Sequence, residues 1–425
     1  MGIRVLVVGG GGREHAVVWK LSQSARIDAV LCTPGNPGIA AIADCATVPV
    51  TDLDGIVELA LTRQVDLVVV GPEDPLAAGL ADKLTAAGIP VAGPSAAAAR
   101  IEASKSFAKE VMAAAGVSTA QSRTVTTRAD GLDAIRAIGG SGPVVVKADG
   151  LAAGKGVVVA ATPQEAERAL DAFLIDRTMG DAGASVVIEA FMEGQEVSVL
   201  SLTDGTTIHP LAPSCDYKRA FEDDAGPNTG GMGVYTPTRL MNADQLADVQ
   251  RTILQPTIDE MARRGTPMRG ILYAGLIMTP AGPQVLEFNA RFGDPETQVV
   301  LPTMDGDLGA LLEAVATGTL ADVPPPTFSG AAVGVVLASG GYPASYPTGL
   351  PIAGLEDGAD DRTLVFHAGT KRDDSGQTVT SGGRVLTVVG LGDDLAAARD
   401  CAYARAEHIT FAGRHLRYDI AAREL

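Results

Sequence analysis

The sequence predicts an α/β protein built in parts: an N-terminal doubly wound domain around a parallel sheet, a central core carrying an inserted subdomain, and a C-terminal α+β domain. Three observations lead there. Over the first hundred residues, short apolar runs such as "RVLVVGG" and "VDLVVVGPE" alternate with helical stretches, the pattern of a parallel sheet covered on both faces. The middle of the chain reads strand, glycine loop, strand, helix, strand, strand, a small α+β module set into a longer unit. The last hundred residues hold the strands "AAVGVVLASGG" and "GRVLTVVGLG" and the helix "LAAARDCAYARAEHI".

Taken in order, a strand at "RVLVVGG" is followed by a helix at "REHAVVWKLSQS", where Ala16, Val17 and Leu21 fall at helical spacing. "DAVLCTPG", "VDLVVVGPE" and "PVAGPS" read as strands that end in turns, so this unit spans 1–102. Ligands of such sheets sit at the carboxyl ends of the strands, here the loops "GGGGRE", "PGNPG" and "GPEDPL". The helix "SKSFAKEVMAAAG" opens a second unit over 103–328, whose inserted module occupies about 124–195. A long helix is expected over 242–264, and "DVPPPTFSG" at 322–330 reads as a linker to the last unit, 331–425.

The formal net charge is −18, which argues against general nucleic-acid or anionic-membrane binding. No run is apolar for long enough to span a bilayer, the N-terminus lacks the pattern of a signal peptide, and the four cysteines are scattered without a CxxC. A cytoplasmic protein acting on small molecules is expected.

Several clusters suggest chemistry. Gly9 to Gly12 lie between a strand and a helix, where backbone N–H groups can face an anion or simply form a tight turn. Their spacing is not that of a nicotinamide fingerprint, since Glu14 or His15 falls where the third glycine belongs. "ADGLAAGKGV" is not a Walker A loop: three residues separate Gly150 from Gly154, and Gly156 follows Lys155. Between two strands, such a loop can still fold over phosphates. Lys147 ends the strand "PVVVK" and is either a phosphate contact or an ordinary strand-end lysine. Glu189, Glu193 and Glu196 flank a connector suited to adenine and ribose, or are merely solvated.

In "QVLEFNARFGDPE", alternation places Glu287, Asn289 and Arg291 on one strand face together with Val285, while Leu286, Phe288 and Ala290 pack the other side. A carboxylate and an amide oxygen two residues apart make a partial shell for Mg²⁺, with Arg291 available to transferring phosphate oxygens. Asp216, Lys218 and Arg219 precede a glycine-rich loop and suit a zwitterion or a phosphorylated intermediate. The histidines show no metal-ligand spacing.

Together these segments resemble the glycinamide ribonucleotide synthetase (phosphoribosylamine–glycine ligase) family of the ATP-grasp superfamily. The most specific are "GPNTGGMG" and "EFNARFGDPETQ", and collinear matches run from "GGGGREHA" to "GGRVLTVVG". The resemblance implies an ATP-grasp core whose inserted module is a lid. It implies ATP-dependent ligation of glycine to 5-phosphoribosylamine through a glycyl phosphate, giving glycinamide ribonucleotide, ADP and phosphate in purine biosynthesis. By position it implies ATP contacts at Lys105, Lys147, Gly150, Gly154, Lys155, Gly156, Glu189 and Glu196, and Mg²⁺ or Mn²⁺ ligands at Glu287 and Asn289. Arg291 becomes the acyl-phosphate stabiliser, with Asp216, Lys218, Arg219 and Asp294 contacting glycine and the intermediate. Gly11, Gly12, Arg13, Asn36 and Glu73 fall at the phosphoribosylamine site, and Asn228 and Gly230 among the substrate contacts. A monomer is expected, in transient contact with neighbouring pathway enzymes.

Tyr217 stands where the family usually has histidine, and the strand "GILYAGLIM" lacks the extra acidic metal ligand of many ATP-grasp enzymes. The alternative is another ATP-grasp carboxylate–amine ligase acting on a related ribonucleotide. A nicotinamide oxidoreductase and a non-catalytic nucleotide-binding module fit fewer of these residues.

Overall fold

The computed structural model describes residues 2–152, 156–358 and 360–425. The first unit is a parallel sheet in the order β3-β2-β1-β4-β5, made of β1 (Ile3–Gly9), β2 (Ile27–Pro34), β3 (Asp44–Cys45), β4 (Leu67–Val70) and β5 (Val91–Ala92). Helices α1 (Gly12–Leu21), α2 (Leu53–Thr62), α3 (Glu73–Ala77), α4 (Leu80–Ala86) and α5 (Ala96–Ala103) accompany it. Side chains of β1 point alternately into two cores. Val5 and Val7 pack with Val17 and Leu21, and Leu6 and Val8 with Ile56 and Leu76. Burial on both faces is why this strand is apolar without alternation. Strand order reverses between β1 and β4, so the loops after these two strands border the crevice where ligands bind.

Helix α6 (Lys105–Ala115) leads into an antiparallel sheet in the order β6-β9-β7-β8. It comprises β6 (Ser122–Val125), β7 (Val144–Ala148), β8 (Val157–Ala160) and β9 (Val186–Ala190). Helices α7 (Arg128–Gly139) and α8 (Pro163–Leu174) cover one face. Each starts at a threonine, Thr127 or Thr162, whose hydroxyl accepts a first-turn N–H. Val144, Val146 and Ala148 enter the core beneath these helices, while Val145 and Lys147 face a cleft.

The chain continues through β10 (Gln195–Asp204), β11 (Ile208–Pro210), β12 (Cys215–Asp216), β13 (Arg219–Phe221), β14 (Ala225–Asn228) and β15 (Gly233–Thr236). The helix expected over 242–264 is α9 (Ala243–Val249) and α10 (Gln255–Arg263), joined by a π-helical turn at Gln250–Leu254. Next come β16 (Arg269–Thr279) and β17 (Gly282–Asn289), which complete the antiparallel sheet β11-β10-β16-β17. Then follow α11 (Thr297–Thr303), β18 (Met304–Asp305), α12 (Leu308–Thr317) and β19 (Thr327–Phe328). The stretch expected as a linker thus contains β19, which pairs with β18.

The final elements are β20 (Ala331–Ala338), β21 (Thr363–His367), β22 (Thr370–Arg372), β23 (Thr378–Thr380), β24 (Arg384–Gly392) and α13 (Leu395–His408). The C-terminal sheet runs β12-β15-β20-β24-β21, so two of its strands come from the middle of the chain. The glycine loop between β14 and β15 is therefore rooted in the C-terminal sheet.

One expected pattern is corrected. Gly275 pairs with Glu287 but Leu276 with Val285, leaving Leu286 as a bulge residue. The extra residue flips the alternation. Val285 is buried in the core with Phe288 and Ala290, and Leu286 lines the cleft with Glu287, Asn289 and Arg291. Among the described residues no helix is long and apolar enough to cross a membrane.

The first unit meets the C-terminal sheet through two histidines. The backbone N–H of His367 donates to His15 Nδ1 at 2.9 Å, and the rings lie 5.7 Å apart. Burial, and then the neighbouring His367, lower the pKa of His15 to about 3; burial, and then Arg372, lower that of His367 to about 4. Both are neutral when folded but take up protons near pH 6.5 when unfolded, so stability falls as pH drops below 6.5. At pH 5 each contributes a loss of about 2 kcal/mol. Thermal denaturation between pH 7 and 4 should show this fall, and it should be shallower in His15→Gln.

Candidate active site

The cleft has a volume of about 620 Å³ and draws on every unit of the fold. At its inserted-module end, Lys147 is buried at the end of β7, and Lys105 and Lys109 share one face of α6 at i,i+4 spacing. The Lys147 ammonium lies 2.9 Å from Glu189 Oε2 and donates to the Leu286 carbonyl at 3.1 Å. Lys109 lies 3.2 Å from the other Glu189 oxygen. Lys105 donates to the carbonyl of Gly150 at 3.0 Å. Burial lowers the pKa of both Lys105 and Lys109; Glu287 opposes this at Lys105 and Glu189 at Lys109. Beside them lie Ala190, the last residue of β9, and Phe191 and Met192 of the connector that follows, with Val159 and Ile277 as apolar walls. Cations at one end and an apolar slot at the other suit a nucleoside polyphosphate.

The β17 strand brings Glu287 and Asn289 to the middle of the cleft, Asn289 opposite Tyr273 of β16. Their carboxylate and amide oxygens fit a hard divalent cation that takes its other ligands from phosphate and water. No group of three or more His, Cys, Asp or Glu side chains that could hold a metal occurs among the described residues, so the protein offers an open shell.

Beyond the strand end, Arg291 is held by carboxylates of the first unit. Its Nε donates to Glu73 Oε2 at 3.3 Å, and its Nη2 lies 3.1 Å from Glu102 Oε1. Burial opposes the charge on Arg291, but Glu102 and Glu73 outweigh it and raise its pKa. Arg13 Nη1 stands 3.9 Å from the same Glu73 oxygen and donates to the Phe292 carbonyl at 3.2 Å. Asp294 pairs with Arg384 of β24 at 2.9 Å and accepts from Gln298 at 2.7 Å. Arg384 also donates to the Gly230 carbonyl, whose N–H donates to Tyr342 at 2.9 Å.

The floor of the cleft is a second charge cluster. The Lys218 ammonium lies 2.6 Å from Glu196 and 3.0 Å from Asp216. Burial works against this ammonium, yet Asp216 and Glu196 raise its pKa well above the ordinary value. Glu296 Oε1 accepts from Tyr273 at 2.9 Å and from Ser198 at 3.2 Å. Burial and then Asp216 raise the pKa of Glu296, while Lys218 opposes them.

Fifteen sequence-predicted residues therefore line one cleft: Arg13, Glu73, Lys105, Lys147, Gly156, Glu189, Glu196, Asp216, Lys218, Asn228, Gly230, Glu287, Asn289, Arg291 and Asp294. Gly154 and Lys155 lie outside the described residues. Five others are not brought to the cleft wall. Asn36 uses its whole amide internally, donating to the Gly10 and His367 carbonyls and accepting from the Gly38 and Ile39 N–H groups. The N–H of Gly11 donates to Glu14, and Gly12 packs so closely on Gln298 that a Cβ would come within 2.8 Å of its amide. Gly150 sits at the base of its loop, bonded to Ala182. Arg219 turns along the β13–β14 hairpin to the Gly226 carbonyl.

Sequence reasoning missed Glu102, Lys109, Tyr273, Glu296, Tyr342 and Arg384, all in the cleft wall. Lys109 was detectable as the i+4 partner of Lys105, and Glu296 stands within the motif that holds Arg291. Tyr217, the departure from the family pattern, is outside the wall. It is buried between the guanidinium groups of Arg423 and Arg417, 4.3 and 4.7 Å from its ring, and its hydroxyl has no hydrogen-bond partner among the described residues. Asp216 and Lys218 on either side of it face the cleft.

Comparisons with known proteins find relatives along the whole chain. Profiles described as phosphoribosylglycinamide synthetase match in three pieces: the N domain over residues 3–102, the ATP-grasp (A) domain over 103–297 and the C domain over 332–423. The chain is 49% identical to the phosphoribosylamine–glycine ligase of Nostoc sp. over 425 residues, covering 99% of each. It is 46% identical to the chicken trifunctional purine biosynthetic protein adenosine-3, matching 100% of this chain and 42% of that protein. Among solved structures, the phosphoribosylamine–glycine ligase of Thermotoga maritima superimposes with a TM-score of 0.86 at 32% identity, covering 99% of this chain and 100% of that one. The biotin carboxylase domain of Hydrogenobacter thermophilus 2-oxoglutarate carboxylase, solved with MgADP and bicarbonate, shares the fold at a TM-score of 0.77 and 17% identity, over 98% of this chain and 92% of that one.

Because the Tyr217 hydroxyl is buried and unpartnered, Tyr217→Phe should leave kcat within about twofold and the melting temperature no lower. Tyr217→Ala should cost about 3–5 kcal/mol, because a buried ring is removed from between two guanidinium groups. Loss of activity in the Phe variant would give the hydroxyl a chemical role.

Proposed function

The chain belongs to the phosphoribosylglycinamide synthetase family, and from that premise we propose how its residues divide the reaction. The enzyme is an ADP-forming ligase that joins glycine to phosphoribosylamine, with ATP, in purine biosynthesis. A carboxylate is a poor acylating agent at neutral pH. Transfer of the ATP γ-phosphoryl group to glycine gives a glycyl phosphate, and the amine of phosphoribosylamine displaces phosphate from it.

The observation that carries the assignment is that Glu287, Asn289 and Arg291 leave one strand and enter the same cleft as Lys105 and Lys147. The lysines hold ATP phosphates, and by the family pattern Lys155 is a further phosphate contact. Ala190 to Met192 take the base, and Glu196 accepts the ribose hydroxyls. Glu287 and Asn289 would hold Mg²⁺ or Mn²⁺, which when bound neutralises phosphate charge and aligns the oxygens. Glycine lies with its ammonium toward Asp216 and Glu296. Arg291 receives the charge that develops on the acyl phosphate. Phosphoribosylamine enters from the first unit, between Arg13, Glu73 and the loop carrying Asn228 and Gly230. That loop is fastened by Tyr342 and Arg384, so closing it around the substrate excludes water that would hydrolyse the glycyl phosphate. Asn36, Gly11 and Gly12 shape the first-unit loops from behind, and Arg219 stiffens the hairpin. The four unpaired cysteines support a reducing, cytoplasmic setting, and we retain the expectation of a monomer.

ADP release from Mg²⁺-ATP should require glycine and phosphoribosylamine together; ADP formed instead with formate or bicarbonate would move the substrate assignment. In Arg291→Ala, kcat should fall by about 10³-fold while ATP binding, followed by a fluorescent analogue, changes less than about threefold. Equal loss of both would remove Arg291 from the chemical step.

A further inference from the structure

Arg291 is positioned less by its own strand than by two carboxylates of the first unit, and these two are not equivalent. Glu73 begins the short helix α3, its side chain is 31% exposed, and its one close oxygen is shared between Arg291 and Arg13. Glu102 stands near the end of α5, its side chain is only 7% exposed, and both its oxygens are engaged. Oε1 faces Arg291 Nη2 at 3.1 Å, and Oε2 accepts the backbone N–H of Ala290 at 2.7 Å. One buried carboxylate thus grips both the guanidinium and the backbone next to it. It spans 188 residues of sequence to do so.

A half-buried partner such as Glu73 can be given up when a substrate oxygen competes for the guanidinium. A buried partner cannot, because an unpaired carboxylate inside the protein is costly. We propose that Glu102 is a positioning residue for the ligation. It is the fixed anchor that sets where the Arg291 guanidinium stands, and Glu73 is the partner that Arg291 exchanges for the acyl phosphate. The inference rests on the role given to Arg291 above. It also gives the junction between the first unit and the core a chemical task. The last turn of α5, just before α6 begins at Lys105, carries the residue that orients the phosphate-stabilising group. A displacement of about 1 Å there is enough to lower a chemical step by about 100-fold.

The test is a double-variant cycle on the full-length enzyme. Glu102→Gln keeps an oxygen to accept the Ala290 N–H and removes the charge that holds Arg291. The expected result is a fall in kcat of about 100-fold, an ATP KM within about threefold of native, and a melting temperature that is not lowered. If Glu102 acts through Arg291, adding Glu102→Gln to Arg291→Ala costs less than about threefold more. Should the Gln variant not fold, Glu102→Asp enters the same cycle. Native-like kcat in the charge-removing variant, or a full additional loss on top of Arg291→Ala, overturns the proposal. Failure of the Arg291 reading is separate: it would show as an active Arg291→Ala single variant, whatever Glu102 does.

Discussion

A charge taken out of water needs a partner, and the cleft is organised by that constraint. Before any substrate is present, each cation in its wall already faces an anion or a carbonyl: Lys147 and Lys109 face Glu189, Lys218 faces Asp216 and Glu196, Arg291 faces Glu73 and Glu102, and Arg384 faces Asp294. Substrates that carry phosphate and carboxylate bind by partner exchange rather than by filling bare positive sites. The cleft therefore discriminates by charge. A neutral analogue would disrupt the pairs without replacing them.

The same pairs tie the units together. Glu73 and Glu102 come from the first unit, Arg291 and Asp294 from the core, and Arg384 and Tyr342 from the C-terminal unit. No unit holds a complete set. The nucleotide end is the most self-contained, because the inserted sheet and α6 supply its lysines. The end proposed to receive the acyl phosphate lies where three units meet, which fits a reaction whose intermediate must not form in an open site.

What could be read in the sequence follows from how local each signal is. The parallel sheet of the first unit was plain because apolar runs buried on both faces need no partner information. Glu287, Asn289 and Arg291 were legible because two-residue alternation holds at the end of β17. The same rule misplaced Val285 and Leu286, since a bulge depends on the neighbouring strand, here β16, and leaves no mark in the sequence of β17 itself. Asn36 stands in a conspicuous turn, and its amide is bonded to the Gly10 and His367 carbonyls rather than turned into the cleft. Glu102 and Arg384 were invisible for the opposite reason. Each is an ordinary charged residue whose partner lies far along the chain, and only closure of the fold brings them together.

The C-terminal sheet borrows β12 and β15 from the middle of the chain, and this sets an order in time. During synthesis, the segment carrying Asp216, Lys218 and the glycine loop emerges long before β20, against which β15 pairs. It gains its remaining supports later still, when Arg417 reaches the Arg219 carbonyl and Glu424 accepts the hydroxyls of Tyr235 and Thr238. In the proposed division of the cleft, the elements of the nucleotide end are therefore synthesised before the C-terminal strands that support the glycine loop. The support of this segment therefore comes from residues 186 to 198 positions further along the chain.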